Sequence, residues 1–204
     1  DQRYRALAQR GFFRRIMNIE PTPADWLPVV MEDFHSFLQD HASCEKKASG
    51  MALNIASHYP DRPKLVNAMA ELAVEELSHY RQVVRLLTDK GLQPGADIKD
   101  AYVNQLNGLI RRGTEHYLLD RLLLGAVIER RGSERFGLIA QALPEGPDRR
   151  FYEAIAASEA RHWRLFVDLA TLECGHLDHQ QRLTQLTEAE AQIMRNQPRR
   201  PALH

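Results

Sequence analysis

Two glutamates near the middle of apolar stripes are each followed three residues later by a histidine: Glu76-Leu77-Ser78-His79 and Glu159-Ala160-Arg161-His162. On a helix, residues i and i+3 share a face, about one turn apart along the axis. A carboxylate and an imidazole placed that way can ligate one metal ion together. Each pair sits in an apolar stripe of alternating three and four spacing. One stripe reads Leu65, Met69, Leu72, Glu76, His79, Val83, Leu86; the other reads Tyr152, Ile155, Glu159, His162, Phe166, Leu169. Two further stripes each carry a single glutamate, Glu45 among Phe34, Leu38, His41, Ala48, Ala52 and Ile55, and Glu129 among Leu118, Leu122, Gly125, Gly132, Phe136 and Ile139. A stripe of this kind faces the core, and an unpaired carboxylate in a core is strongly disfavoured. Four such carboxylates, one per stripe, call for one explanation.

That explanation is a shared metal centre. One Glu from each of two helices and a Glu-x-x-His from each of two others form the ligand set of carboxylate-bridged di-iron and di-manganese bundles. Oxygen and imidazole donors without thiolate suit iron or manganese rather than structural zinc. Glu45 and Glu76 are 31 residues apart, and Glu129 and Glu159 are 30 apart, so two hairpins would carry their ligands at matching depth. The expected metal ligands are therefore Glu45, Glu76, His79, Glu129, Glu159 and His162, holding two iron ions, with manganese possible. Which glutamates bridge is open at this level.

The elements that must position these residues are helical. Long helices are expected over about 25–59, 62–89, 114–143 and 147–173, with a shorter one over 97–112. Pro60 to Pro63, Pro94-Gly95, Gly113 and Pro144 to Pro147 punctuate them. Two hairpins joined by one long crossover make an all-α, ferritin-like four-helix bundle. A single domain over 1–204 is expected, with the bundle at about 25–175 and short flanking helices. One flanking helix is expected within 1–16. Another should open at the capping-box pattern Thr187-Glu188-Ala189-Glu190. The polar tail from Asn196 to Pro201 is expected to be mobile.

Composition narrows the class. Two cysteines, Cys44 and Cys174, exclude a disulfide scaffold and any four-cysteine metal site. No run approaches the length of a membrane span, no signal peptide is evident, and a reducing cytoplasm is the expected setting. Lys plus Arg and Asp plus Glu both total 27, which argues against a broadly basic nucleic-acid binder. Yet 22 of the cations are Arg and only 5 Lys. Arg forks suit phosphate, so the pairs Arg14-Arg15, Arg111-Arg112 and Arg149-Arg150 read either as solvated helix faces or as a local phosphate-binding surface on a neutral protein. His41, one turn before Glu45, reads first as a core histidine with a backbone partner and otherwise as a residue that supports a metal ligand. Arg161 either braces a ligand or faces solvent. Cys44 is expected to serve packing. The small residues Ala48, Ala52, Gly125 and Ala126 either open a substrate cavity or allow close helix packing.

The segments Cys44-Glu45-Lys46-Lys47-Ala48, Glu75-Glu76-Leu77-Ser78-His79, Ile128-Glu129-Arg130-Arg131-Gly132-Ser133-Glu134-Arg135-Phe136 and Ser158-Glu159-Ala160-Arg161-His162 resemble those of the tRNA 2-methylthio-isopentenyladenosine hydroxylases of the MiaE type. The resemblance runs from about Pro21 to Gly175 and matches all six ligand positions. It implies a di-iron monooxygenase that uses O2 to hydroxylate the isopentenyl group of a modified adenosine in the tRNA anticodon loop. It also implies tRNA as substrate and, since the chain has no flavin or iron–sulfur motif, an external electron donor such as a ferredoxin and its reductase. The alternative within the same bundle is a ferroxidase or a peroxide-scavenging di-metal protein. The absence of Cys-x-x-Cys separates the chain from rubrerythrin-like peroxide reductases.

Overall fold

The computed structural model describes residues 17–204, apart from the side chain of residue 115. The helix expected within 1–16 and the Arg14-Arg15 pair lie outside the described residues. Seven helices and no strands occur among the described residues: α1 Trp26–Glu32, α2 Phe34–His58, α3 Pro63–Asp89, α4 Ala101–Asn107, α5 Thr114–Ala142, α6 Pro147–Cys174 and α7 His179–Asn196.

The first expected long helix is broken in two. Asp33 leaves helical geometry (φ −128°, ψ 66°) and its carboxylate accepts from the backbone N–H of Ser36 at 3.1 Å, so it starts a new helix. The crossover helix is also shorter than expected. Residues 92–100 run alongside α2 without helix, because their polar groups find partners there. Lys46 Nζ meets Asp97 at 2.9 Å, Lys47 Nζ donates to the Ile98 carbonyl at 2.7 Å, and Gln39 donates to the Gln93 carbonyl at 2.7 Å. Only after Asp100, which accepts from the Val103 N–H, does α4 begin.

Two hairpins, α2–α3 and α5–α6, form the bundle. Two apolar clusters lie at its two ends. One gathers Ile55, Leu65, Leu72, Leu122 and Phe166; the other gathers Phe37, Val83, Phe136, Tyr152 and Ile155. Along α2 and α6 the chain passes from the second cluster to the first, and along α3 and α5 from the first to the second. The helices are therefore ordered up, down, down, up, joined by one long crossover. Every expected glutamate lies at the level between the two clusters, so a polar layer divides the core. With apolar packing on both sides, the glutamates of that layer are no more than 5% exposed.

Two expectations at the C-terminal end are overturned. The last helix opens at His179, not near Thr187. Asp178 caps it by accepting from the Gln181 N–H at 2.9 Å, while Thr187 sits inside the helix and donates to the Thr184 carbonyl. Glu190 is no capping residue; it is fully buried. The tail also folds back onto the bundle. Trp26 Nε1 donates to the Ala202 carbonyl at 3.1 Å, the Leu203 N–H donates to Asp40 at 2.7 Å, and His204 Nδ1 lies 3.0 Å from Asp100. Ala202, Leu203 and His204 are buried. The apolar Ala-Leu pair and these three anchoring side chains outweigh the polar composition of residues 196–201.

Candidate metal centre

The structure brings all six expected side chains into one buried layer. Glu45, Glu76, His79, Glu129, Glu159 and His162 are each no more than 6% exposed. Their donor atoms form two overlapping groups whose members lie within 4.8 Å of one another: Glu45, Glu76, His79 and Glu159, and Glu76, Glu129, Glu159 and His162. Glu76 and Glu159 belong to both. Both imidazoles turn Nδ1 inward. His79 Nδ1 is 3.3 Å from Glu76 and 3.5 Å from Glu45; His162 Nδ1 is 2.8 Å from Glu76 and 3.6 Å from Glu159.

The layer is chemically unfinished. Glu76 Oε1, Glu159 Oε1 and His162 Nδ1 are buried without a hydrogen-bond partner, although the first and last are only 2.8 Å apart. Buried polar atoms are nearly always paired. Three orphans converging between two Glu-x-x-His motifs are what a cation would satisfy, and the donor set suits a hard or borderline metal. The electrostatics agree. Burial, then the neighbouring carboxylates, push Glu76 up and Glu129 and Glu159 well up from the ordinary range. Burial works against a charge on His79 and His162, yet the glutamates facing them raise both to about 9. Glu45 alone is held low, against its burial, by His41 and His79.

The supporting residues answer the questions left by the sequence. His41 does not bond the backbone. Its Nε2 lies 2.6 Å from Glu45 Oε1 and its Nδ1 3.2 Å from the Tyr152 hydroxyl, so it orients a candidate ligand. Arg161 braces the site through Glu75, which sequence reasoning missed. Arg161 Nη2 donates to Glu75 Oε1 at 2.7 Å, and Glu75 Oε2 lies 3.3 Å from His162 Nε2. Burial opposes the Glu75 charge, but Ser158, His162 and Arg161 lower its carboxyl to about 2. Glu75 is 40% exposed at its side chain and one position off the buried stripe, so periodicity assigns it to the surface. The only sequence signal was its adjacency to Glu76.

A cavity of about 50 Å³ reaches the layer, lined by Ala48, Ile128, Gly132, Phe136, Leu203 and His204 beside Cys44 and the four buried glutamates. That is room for about one or two water molecules. Of the small residues singled out, only Ala48 lines it. Ala52 and Ala126 are core, and a Cβ on Gly125 would lie 2.9 Å from the Phe166 ring, so that glycine serves close packing. Arg111 is not free for phosphate: with Arg182 it is bound to buried Asp120, at 2.7 and 2.8 Å. Arg149 pairs with Glu153, while Arg112 and Arg150 are exposed.

The segment from Ile128 to Phe136 has a structural part as well. Fully buried Arg131 makes a bidentate pair with Glu190 at 2.8 and 2.9 Å and also reaches Glu134 and Thr22. Arg135 donates to the Leu203 carbonyl and lies over the Trp26 ring. The motif thus docks the segments before and after the bundle onto α5.

A ferritin-like four-helix bundle with a central carboxylate–histidine layer is the class this fold and site define. Known proteins place it further. Residues 13–204 match the family described as tRNA-(MS[2]IO[6]A)-hydroxylase (MiaE), and the chain belongs to that family. It is 37% identical over 150 residues to the tRNA 2-(methylsulfanyl)-N(6)-isopentenyladenosine(37) hydroxylase of Pseudomonas putida, covering 74% of this chain and 73% of that one. It is 29% identical over 141 residues to the protein of the same description from Salmonella typhimurium, covering 69% of this chain and about half (52%) of the relative. Among solved structures it resembles a protein with aldehyde deformylating oxygenase activity from Synechococcus. The TM-score is 0.85 at 33% identity, over 90% of this chain and 93% of that one.

Proposed function

We propose that Glu45, Glu76, His79, Glu129, Glu159 and His162 hold two iron ions and that the protein is an O2-dependent tRNA hydroxylase. Its substrate is the isopentenyl group of 2-methylthio-isopentenyladenosine in the anticodon loop. The observation that carries the reading is the pair of four-donor groups sharing Glu76 and Glu159, in a chain of the MiaE family. In this arrangement Glu76 and Glu159 would be shared by the two ions, Glu45 and His79 would serve one, and Glu129 and His162 would serve the other. Reduced iron, when bound, supplies activation of O2.

The chain's own residues do the rest. The two apolar clusters keep water from the layer. Ala48, Ile128, Phe136 and Leu203 offer an apolar wall to a prenyl chain, which suits an unreactive C–H target. His41 and Glu75 fix the orientation of Glu45 and His162. An anticodon-loop base is already unpaired, so it reaches a pocket at modest unstacking cost. Exposed Arg112 and Arg150 remain as candidates for phosphate contacts; Arg111 drops out. Electrons come from an external donor of the ferredoxin–reductase kind. The substrate makes the cytoplasm the working compartment, and no helix among the described residues is long and apolar enough to cross a membrane. The family does not support the ferroxidase or peroxide-scavenging alternative.

The test is direct. Iron-loaded protein, a reductant, O2 and tRNA carrying the prenylated base should yield a nucleoside heavier by one oxygen, read by mass spectrometry after digestion. Iron-loaded, reducible protein that returns the nucleoside unchanged would overturn the reading.

A further inference from the structure

Outside the Glu/His layer, one more group of metal-ligating side chains converges among the described residues. A donor atom each of Cys44, Asp100 and His204 lies within 4.8 Å of the others. They come from three separate elements: the middle of α2, the residue that caps α4, and the segment after α7. We propose that these three residues form a second cation site for one thiophilic divalent ion of the zinc class, and that filling it pins residues 201–204 across the cavity leading to the Glu/His layer.

His204 carries the argument beyond mere proximity. Its side chain is 5% exposed. Nδ1 lies 3.0 Å from Asp100 Oδ2, and Nε2 is buried with no partner. Tyr102 holds the ring in place by stacking at 4.8 Å, with the planes 8° apart. An imidazole that is rigid, buried and half-satisfied, beside a carboxylate and a thiol, is a poor end in itself and a good beginning for a metal site. The surroundings favour positive charge. Asp40 Oδ2 lies 3.7 Å from Cys44 Sγ, and Glu45 is the next residue.

The donor set selects the ion. Sulfur, nitrogen and one carboxylate oxygen match zinc or cobalt(II), and three protein donors leave a fourth position for water. The sulfur-free layer next door favours iron, so the two sites sort metals by chemistry. No electrons move on binding: the Cys44 thiol gives one proton to solvent and three coordinate bonds form. Cys44 and His204 also line the 50 Å³ cavity together with the layer glutamates. A cation joining them therefore ties the last residues of the fold to α2 and α4 over that cavity. This inference is independent of the tRNA reading.

The experiment adds cobalt(II) to protein whose Glu/His layer is already loaded with two irons. One additional ion per chain by elemental analysis and a thiolate-to-cobalt absorption band are expected. Cys44→Ala should lose the band, and His204→Phe, which keeps the stack on Tyr102, should weaken binding at least tenfold. Zinc should slow hydrogen exchange of the Leu203 amide at least tenfold. Asp100→Asn, whose side-chain oxygen still caps α4, serves as a second variant if Cys44→Ala does not fold, and should weaken binding likewise. No additional ion, a band that survives Cys44→Ala (assigning it to Cys174), or unchanged exchange with zinc would each overturn the proposal. None of these readouts uses tRNA, so a failed hydroxylation assay leaves them interpretable.

Discussion

Two buried ionic clusters in this molecule are built from similar residues and behave oppositely. Around Arg131, a fully buried guanidinium faces Glu190 in a two-bond fork, Tyr102 adds a hydroxyl donor to the same carboxylate at 2.8 Å, and Glu134 and Thr22 complete the set. None of these side chains leaves a buried polar atom unpaired. In the Glu/His layer, four carboxylates face two imidazoles, and three atoms stay unpaired. The first cluster is closed and serves architecture, docking the segment before α1 and the last helix onto α5. The second is open, with carboxylate and imidazole atoms left unpaired and aimed at common points. Burial and charge alone do not separate a structural network from a metal site; the balance of donors and acceptors does.

The difference can be broken from either side. Glu76→Ala and Glu159→Ala remove ligands shared by both groups and should abolish binding of both ions and all hydroxylation. Glu45→Ala and Glu129→Ala should each leave one ion. Metal analysis per chain decides this, and equal stoichiometry in all four variants would refute the sharing.

In the closed cluster, Glu190→Leu strands the Arg131 charge and should cost about 3–5 kcal/mol of stability, read as a large drop in melting temperature. Glu129→Gln in metal-free protein should cost nothing or stabilise, because burial and Glu159 already oppose a charge on that carboxyl. A melting temperature that falls equally in both variants would erase the distinction.

Close packing beside the layer comes next. Gly125→Ala sets a Cβ 2.9 Å from the Phe166 ring and should cost about 1–3 kcal/mol by overpacking, in denaturant titrations.

Acidity sharpens the comparison further. His79 and His162 are raised to about 9 in metal-free protein, against about 6.5 unfolded. Their contribution to metal-free stability is complete below about pH 6.5 and is lost as pH rises through about 9. Metal must displace those protons, so iron affinity should rise with pH and level off near 9. Affinity independent of pH between 6.5 and 9 would contradict this. The smallest effect belongs to Arg161→Ala, which loosens Glu75 and, through it, His162. Iron affinity should fall less than tenfold, since direct outer partners of a ligand are worth about 10–100-fold.

Much of this was legible in the chain itself. Stripes of three and four spacing located the four long helices, and the glutamate in each stripe located the layer, because helix geometry converts spacing into a shared face. Glu76, His79, Glu159 and His162 declared themselves through i, i+3 spacing in the middle of an apolar stripe. What tertiary structure alone decided involves partners distant in sequence. His41 reads as core until Glu45 and Tyr152 close on it. Glu75 reads as surface until Arg161, 86 residues away, turns it toward His162. Thr187 to Glu190 is a sound capping box locally, yet Arg131 draws Glu190 inward and the helix begins eight residues earlier, at His179. The tail reads as free until Trp26, Asp40, Arg135 and Asp100 take its polar groups. Local rules describe what a segment does against water; these segments face protein, and pairing buried polar groups across the fold outweighs the local preference.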